Sequence, residues 1–466
     1  MQLKPTSIHH LAICTADMKG QIEFFTDVIG LELIALYWMH GVEGCWHGFM
    51  KLNDTCSLAF VFTPDTPNIK SIPGVTHAGN GAGSSAPGTA QHIAFNVNSM
   101  EEMLNMRDRI RSKGVNIIGP IDHGMCDSMY FAGPEGLTLE IAHSKEAINA
   151  KAWIDPEVVK LAGISDAELA RYTSPAPYTG TKKVRQPKKV DGKPHMPFKP
   201  PFGKKVLWFP DWLISRLASH TTPPVEVAKK DLKKMKSNEV KPTSFHHLAF
   251  STANMKAQIE FFTDVLGMEL VALYWMHGAE GCWHGFLKLN DTCSIAFVFT
   301  PDTPNIKPIL GVTHAVDGGG GCAPGTVQHI GFNVRSQEEM LKMRDRIRSK
   351  GVPVFGPLGH GMCDSMYFAG PENLVLEIAH SEEPIHPQIW IDPEVVGLAG
   401  INEEELARYI SPELFVGQGG AVPQPSKDDS KPHMKYAAPL GDKILQVPDD
   451  VLRAKASFAE PPVKVA

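Results

Sequence analysis

HGMCDSMYFAGPE, at His123–Glu135, is written again without a change at His360–Glu372. Working outward from it, QIEFFTDV recurs at Gln21 and Gln258, KLNDTCS at Lys51 and Lys288, and RDRIRSKGV at Arg107 and Arg344, all offset by 237 residues with no gap. The tails repeat as well: WIDPEVV begins at Trp153 and Trp390, and KPHM at Lys193 and Lys431, where the offset slips to 238. The chain of 466 residues is therefore a tandem duplication.

Each copy divides again. Residues 6–63 and 91–143 each open on a short His-bearing strand followed by a helix and three more strands. In the first helix Ile22, Phe25 and Ile29 share one face and Gly30 stands at the C-cap position. In the second, Ser99 and Glu102 spell an N-terminal capping box and Gly114 follows a basic last turn. This predicts an α+β fold of four βαβββ modules, paired into two cupped mixed sheets, each followed by an extended arm. The expected units are 1–146 (first module pair), 147–240 (arm), 241–383 (second module pair) and 384–466 (C-terminal arm). The Gly-, Ser- and Pro-rich stretch 64–90 reads as loop. The Pro- and Lys-rich stretch from Thr181 to Lys205 and the KKDLKKMK run at Lys229 read as a solvated arm, with an anionic partner as the alternative.

Composition excludes a few classes. Hydrophobic residues are 43% and charged residues 21%, ordinary for a globular chain, and 45 Lys+Arg stand against 51 Asp+Glu, so no global basic excess points to nucleic acid. The start MQLKPTSIHH carries no secretory pattern, and no apolar run reaches the ~18–20 residues that span a bilayer. The eight Cys form no CxxC pair and read as reduced thiols of a cytoplasmic protein. The expected partners are a small-molecule substrate and dioxygen, without nucleic acid or membrane, and a homo-oligomer is left open.

The 20 His are the unusual count. Strand alternation sorts them. In QHIAFNV, Ile93, Phe95 and Val97 face the helix while His92 faces away. In LTLEIAH, Glu140 faces away, and in IHHLAI His10 does, leaving His9 toward the helix. A mid-strand carboxylate off the solvent face needs a partner. His10, His92 and Glu140 thus form a candidate facial triad of metal ligands that leaves coordination positions open, which suits non-haem Fe(II), with Mn, Zn or Ni as alternatives. The second copy repeats it as His247, His329 and Glu377. The bland reading, buried polar groups satisfied by hydrogen bonds, stands beside it. Cys56 and Cys126 read as inert buried thiols, and His40, His77 and His143 as candidates for lining a pocket.

These modules and ligands resemble the vicinal oxygen chelate superfamily (glyoxalase, bleomycin-resistance and extradiol-dioxygenase proteins), over roughly 6–145 and 243–382. That resemblance implies paired modules around a metal with ligands from first and last strands. At the position in the first module matching Glu140 stands Ala59 (Ala296 in the second copy), so three ligands remain, as in type I extradiol ring-cleavage dioxygenases. IDHGMCDSMYFAGPEGLTLE, Ile121–Glu140, follows the extradiol pattern at His123, Tyr130, Pro134 and Glu140, and departs at Gly133. The second copy departs further, with Leu358 and Asn373 for Ile121 and Gly136. By resemblance His123 and Tyr130, with His360 and Tyr367, orient the substrate. Where that family often carries a catalytic His, this chain has Thr55 and Cys56, and His47 (His284 in the second copy) is the candidate substitute for acid-base work. The resemblance implies a dioxygenase opening a catecholic or related hydroxylated ring, with two sites per chain. Its competitors are a glyoxalase-like metal-dependent lyase or isomerase and a non-enzymatic small-molecule-binding protein.

Overall fold

A computed structural model of the chain describes residues 3–80, 82–187, 192–196, 198, 203–228, 232, 240–316, 319–417, 420–436 and 440–465. Most of the KKDLKKMK run lies outside them. Four modules are present. The first holds strands β1 (Ser7–Cys14), β2 (Glu32–Trp38), β3 (Trp46–Asn53) and β4 (Cys56–Phe62); the second β5 (Ala90–Asn96), β6 (Ile117–Asp122), β7 (Asp127–Ala132) and β8 (Thr138–His143). The third holds β9 (Ser244–Ser251), β10 (Glu269–Trp275), β11 (Trp283–Asn290) and β12 (Cys293–Phe299); the fourth β13 (Val327–Asn333), β14 (Phe355–Gly359), β15 (Asp364–Ala369) and β16 (Val375–His380). The helix after β1 ends on Gly30 at φ 89°, the left-handed conformation its position requires. Ser99 caps Met100–Ser112 by accepting from the Glu102 backbone N–H, but Glu102 reaches back to Asn98 rather than to Ser99, so the box is half made.

The modules pair into two eight-stranded mixed sheets, in the orders β14-β15-β16-β13-β1-β4-β3-β2 and β10-β11-β12-β9-β5-β8-β7-β6. This corrects the expected units. The first module joins the fourth, through β1 antiparallel to β13, and the second joins the third, through β5 antiparallel to β9. Residues 1–146 and 241–383 are therefore contiguous in sequence but neither closes a sheet alone. Strand pattern could not tell these pairings apart, because SIHHLAIC and SFHHLAFS, the two candidate partners of each second-type module, are nearly one sequence. Side-chain alternation fixes which face a residue occupies, not which equivalent edge pairs with which.

The arms clamp the two sheets together. After β8 the chain forms short helices at Ala150–Trp153, Pro156–Leu161 and Asp166–Thr173. Asp155 caps the second of these and its backbone N–H bonds Leu273 O on edge strand β10. The chain then crosses to the other sheet, where the helix Asp211–Ala218 packs on β14. The C-terminal arm mirrors this: Asp392 N–H bonds Leu36 O on β2, and the helix Asp449–Ala456 packs on β6. One continuous apolar core includes side chains from all four modules, with Phe60, Phe95, Phe297 and Phe332 fully buried in it. Among the described residues no helix is long and apolar enough to cross a membrane.

Candidate metal centres and their surroundings

Among the described residues two clusters of buried ligand-type side chains occur, one per sheet: His10, His329 and Glu377, and His92, Glu140 and His247. The six residues expected as ligands are all present, but grouped differently. His10 does not meet His92 and Glu140, nor does His247 meet His329 and Glu377. Each centre takes its first His from one half of the chain and its other two ligands from the opposite half, as the β1–β13 and β5–β9 pairings require.

The geometry is that of a chelate. In the first centre His10 Nε2 lies 2.8 Å from His329 Nε2, and these lie 3.3 and 3.4 Å from Glu377 Oε2. In the second the separations are 2.8 Å between His92 and His247, and 3.3 and 3.5 Å from these to Glu140 Oε2. Three donors ~2.1 Å from one ion stand ~3.0 Å apart at right angles and ~3.4 Å apart at tetrahedral angles. The observed edges span that range.

The hydrogen-bond network assigns the imidazole tautomers. Ser381 Oγ donates to Met362 O at 2.9 Å, so toward His9 Nε2, 2.8 Å away, it must accept. His9, held neutral by burial with its pKa lowered to about 3, then presents a bare Nδ1, which accepts from His10 Nδ1–H at 2.9 Å. His10 Nε2 is left with a lone pair. Ser144, Met125 and His246 repeat this relay behind His247. On the other side His329 Nδ1–H donates to Gln328 Oε1 at 2.6 Å, and His92 makes the same bond to Gln91. The glutamine amides are oriented by the carbonyls of Gly320 and Gly83. In both centres two Nε2 lone pairs therefore face each other at 2.8 Å beside a carboxylate whose oxygens find no hydrogen-bond donor. Such a set repels itself without a cation. At the second centre burial lifts the Glu140 carboxyl to about 8 and, with the neighbouring His123, lowers His92 to about 3, so without an ion this set favours a neutral acid beside neutral imidazoles; burial and neighbouring imidazoles lower His10 and His329 to about 3 as well. A divalent ion reverses the first preference and uses the second. The donor set fits a metal.

The relay histidines were placed wrongly by alternation. A register shift between Ile8 and His10 in the β1–β13 ladder breaks the period-two pattern, so His9 lies against His10 instead of entering the helix layer. The His-His dipeptide was the available signal. Gln91, Gln328, Ser144 and Ser381 carried none.

The other expected site residues divide by centre in the same crossed way. Around the first stand His47, His360 and Tyr367; around the second His284, His123 and Tyr130. The His47 ring lies 6.5 Å from His10 and 6.1 Å from His329, and the Nε2 atoms of His47 and His284 are buried without a hydrogen-bond partner. Burial and neighbouring imidazoles hold both well below the usual His range, and hence neutral. Tyr367 Oη is 3.1 Å from His360 Nε2, and Tyr130 Oη is 3.1 Å from His123 Nε2. Tyr130 stands directly opposite Glu140 in the β7–β8 ladder, as Tyr367 does opposite Glu377. Tyr37 and Phe49, with Trp390 against Tyr37, complete the first wall; Tyr274, Phe286 and Trp153 complete the second. These aromatics were not singled out in the sequence, because aromatic strand residues are more often plain core.

Ala59 pairs with Ala12 in the β1–β4 register, as Glu140 pairs with Ala94 in β5–β8, so no carboxylate occupies the matching place. His40 lies 6.1 Å from Tyr37. His77 bonds Thr76 in a loop against Gly136, and His143 bonds Val97 O; these two serve the scaffold. Among the described residues no disulfide joins the Cys side chains, and burial pushes the Cys56 and Cys126 thiols up, which leaves them unreactive.

Comparison with known proteins adds to this geometry. The model of the Glyoxalase/Bleomycin resistance protein/Dioxygenase superfamily matches residues 7–141 and 244–378. Similar solved structures include a proposed dioxygenase from Bacillus subtilis (14% identity, 89% of this chain and 99% of that one, TM-score 0.48). Glyoxalase I from Zea mays is another (11% identity, 80% and 92%, TM-score 0.42). A third is the 2,3-dioxygenase LapB from Pseudomonas sp. KL28 (15% identity, 84% and 100%, TM-score 0.26). No curated protein matches the chain.

Proposed function

This chain belongs to the Glyoxalase/Bleomycin resistance protein/Dioxygenase superfamily, and on that premise we propose that it is a non-haem Fe(II)-dependent dioxygenase of the extradiol type with two active centres. It would open a catecholic or related hydroxylated aromatic ring. The observation that carries the reading is the count and chemistry of the ligands. Each centre offers two imidazoles and one carboxylate on one face, and Ala59 and Ala296 stand where a fourth ligand would. A three-ligand face leaves room for a bidentate diol and dioxygen. A lyase or isomerase of this fold would want that fourth carboxylate as ligand or base, and it is missing.

His10, His329 and Glu377 would hold one ion, and His92, Glu140 and His247 the other. The metal, when bound, supplies a Lewis acid that favours the ionised diol and brings it beside dioxygen. The chain's own residues do the rest. His47 and His284, neutral and with an unengaged Nε2, are suited to take a proton from a substrate hydroxyl and return it during ring opening. Tyr367 and Tyr130, each anchored to a His, place a hydroxyl beside the carboxylate ligand to orient the substrate. Their phenols are raised well above the ordinary range by burial, so they donate hydrogen bonds rather than titrate. Tyr37, Phe49 and their counterparts Tyr274 and Phe286 give an apolar wall for a ring and exclude water.

The test is anaerobic purification with metal analysis, followed by oxygen uptake over a panel of catechols and hydroquinones. Two irons per chain with ring opening is the expected result. Zinc or nickel, with turnover of a 2-oxoaldehyde adduct and no oxygen uptake, would discard it in favour of glyoxalase-type chemistry.

A further inference from the structure

The two arms dock alike on their inner sides and differ on their outer sides. On the inner side Asp211 takes Arg348 at 2.7 and 3.0 Å, with Arg344 and Lys183 beside it. At the matching place Asp449 takes Arg111 at 2.6 and 2.8 Å, with Arg107 beside it. Ile214 and Leu452 are buried in the same role. Ser219 Oγ accepts from Gly359 N–H, and Ser457 Oγ from Asp122 N–H, each at 2.8 Å. These shared contacts account for the attachment of both arms.

The outer sides differ in their large apolar side chains. The first arm exposes Trp208 (80%), Trp212 (64%) and Leu217 (72%). At the corresponding exposed positions the second arm has Gln446, Asp450 and Lys455. Docking thus does not require large apolar side chains there, and leaving two Trp and a Leu in water is unfavourable unless something covers them. Charge diverges in parallel. Residues 181–220 hold ten Lys and Arg against two Asp, whereas residues 419–458 hold six against five. Lys182, Arg185, Lys193, Lys205 and Arg216 are exposed in the first arm. The adjoining KKDLKKMK run, at 229–236, adds to the same excess in sequence.

We propose that the outer face of the first arm, around Trp208, Trp212 and Leu217, is a docking surface for an anionic lipid bilayer. The expectation of no membrane partner gives way in this proposal to peripheral attachment. Large apolar side chains standing out from a basic segment match a lipid interface, where indole rings sit at headgroup depth and lysines meet acidic headgroups. A second copy of this chain is disfavoured, because a self-complementary contact would bring two strongly basic rims together. Trp208 also borders a cavity with Arg185 and Leu207, but Trp212 and Leu217 stand outside it as exposed single side chains, which suits insertion into an interface better than capture of a peptide. The cavity beside Trp208 reaches Tyr367, but vesicle binding is read without turnover, so the proposal does not depend on the activity assigned to the centres.

The full-length protein should sediment with vesicles containing phosphatidylserine and remain in solution with pure phosphatidylcholine. Binding should fall at high salt, and Trp fluorescence should shift to the blue on addition of the acidic vesicles. Grafting the second arm's residues, Trp208→Gln, Trp212→Asp and Leu217→Lys together, should weaken binding on the order of tenfold or more. Those residues already serve in a docked arm, and an unchanged thermal melt checks folding. If that variant fails to fold, Lys182→Gln, Arg185→Gln, Lys193→Gln and Lys205→Gln together should give a similar loss. Absence of the wild type from the vesicle pellet, or undiminished binding by folded variants, overturns the proposal. So does a wild-type dimer that the graft converts to monomer without any vesicle binding, which would assign the face to a second copy.

Discussion

The two candidate metal centres share their ligand types, relay histidines, His–Tyr pair and aromatic wall, but not the strap beside them. Beside the first centre His220 N–H bonds Gly359 O, and the His220 ring lies 3.9 Å from that of His40. Beside the second, Phe458 N–H bonds Asp122 O, and its ring stacks on His277 at 3.8 Å and 27°. The first strap brings two imidazoles together, and the second lays an aromatic ring on an imidazole. The duplication kept the candidate ligand sets twice and varied the segment beside them. The difference also shows that a strap can change while the anchor beneath it, Ser219 or Ser457, stays.

The sharpest way to break this comparison is to ask which residues belong to which centre. His10→Ala with Glu377→Ala should cost no more metal than either alone, leaving one ion per chain of the two. His10→Ala with Glu140→Ala should remove both. If ligands were grouped within each half, the two double variants would exchange outcomes. Metal stoichiometry after dialysis decides it, with each single removal costing ~10-fold or more in affinity at its own centre.

That experiment bears on the ligand grouping, which the sequence placed within each half and the structure places across them. Repeat, module type, ligand identities and even the vacancy at Ala59 were legible, because they depend on spacing and alternation within a module. The partner of β1 was not, because β5 and β13 offer nearly the same strand, AQHIAFN or VQHIGFN. The choice between them depends on where the long loop beginning at Pro64 lands and on how the arms clamp the sheets, and neither is periodic. The relay histidines were lost to a bulge, which local alternation does not announce.

Acid should act on both halves together. His77 lies beside Gly325 and His314 beside Gly88, each loop thus locking onto the opposite half, and burial lowers both imidazoles to about 4. A base whose folded pKa lies below its unfolded value of 6.5 binds fewer protons when folded. Its contribution is therefore complete above that value and is lost as pH falls toward 4. Each group can account for on the order of 3 kcal/mol over that window. Denaturant midpoints measured on metal-free protein should drop between neutral pH and about pH 5 in one cooperative transition. Two separated transitions would mean that the halves are less interlocked than the crossed sheets imply.

The strap difference predicts selectivity. A ring bearing an acidic substituent can meet the His40–His220 pair but not the Phe458 ring. His220→Phe should raise KM for such a substrate by about tenfold at the first centre, with little change in kcat, as expected when a hydrogen bond to a charged group is removed from binding alone. A background of Glu140→Ala isolates that centre for the measurement. Phe458→His in a Glu377→Ala background should move the second centre the other way. If neither substitution changes KM between acidic and neutral catechols, the straps are covers without discrimination.

The smallest effect concerns a pair beneath the loops. Cys14 and Cys322 lie with their sulfurs 3.0 Å apart, and at the matching place Ser85 and Ser251 share a 2.7 Å hydrogen bond. All four are fully buried or nearly so. A single Cys14→Ser places a hydroxyl, with its need for a strong partner, beside a thiol that is a weak one, and should cost about 1–2 kcal/mol. Adding Cys322→Ser supplies the partner, as the other half already demonstrates, and should restore most of that loss. The double-mutant coupling should therefore be favourable by about 1 kcal/mol. Additive single effects would show that the two loop regions, alike in sequence position, do not hold their buried pairs in the same geometry.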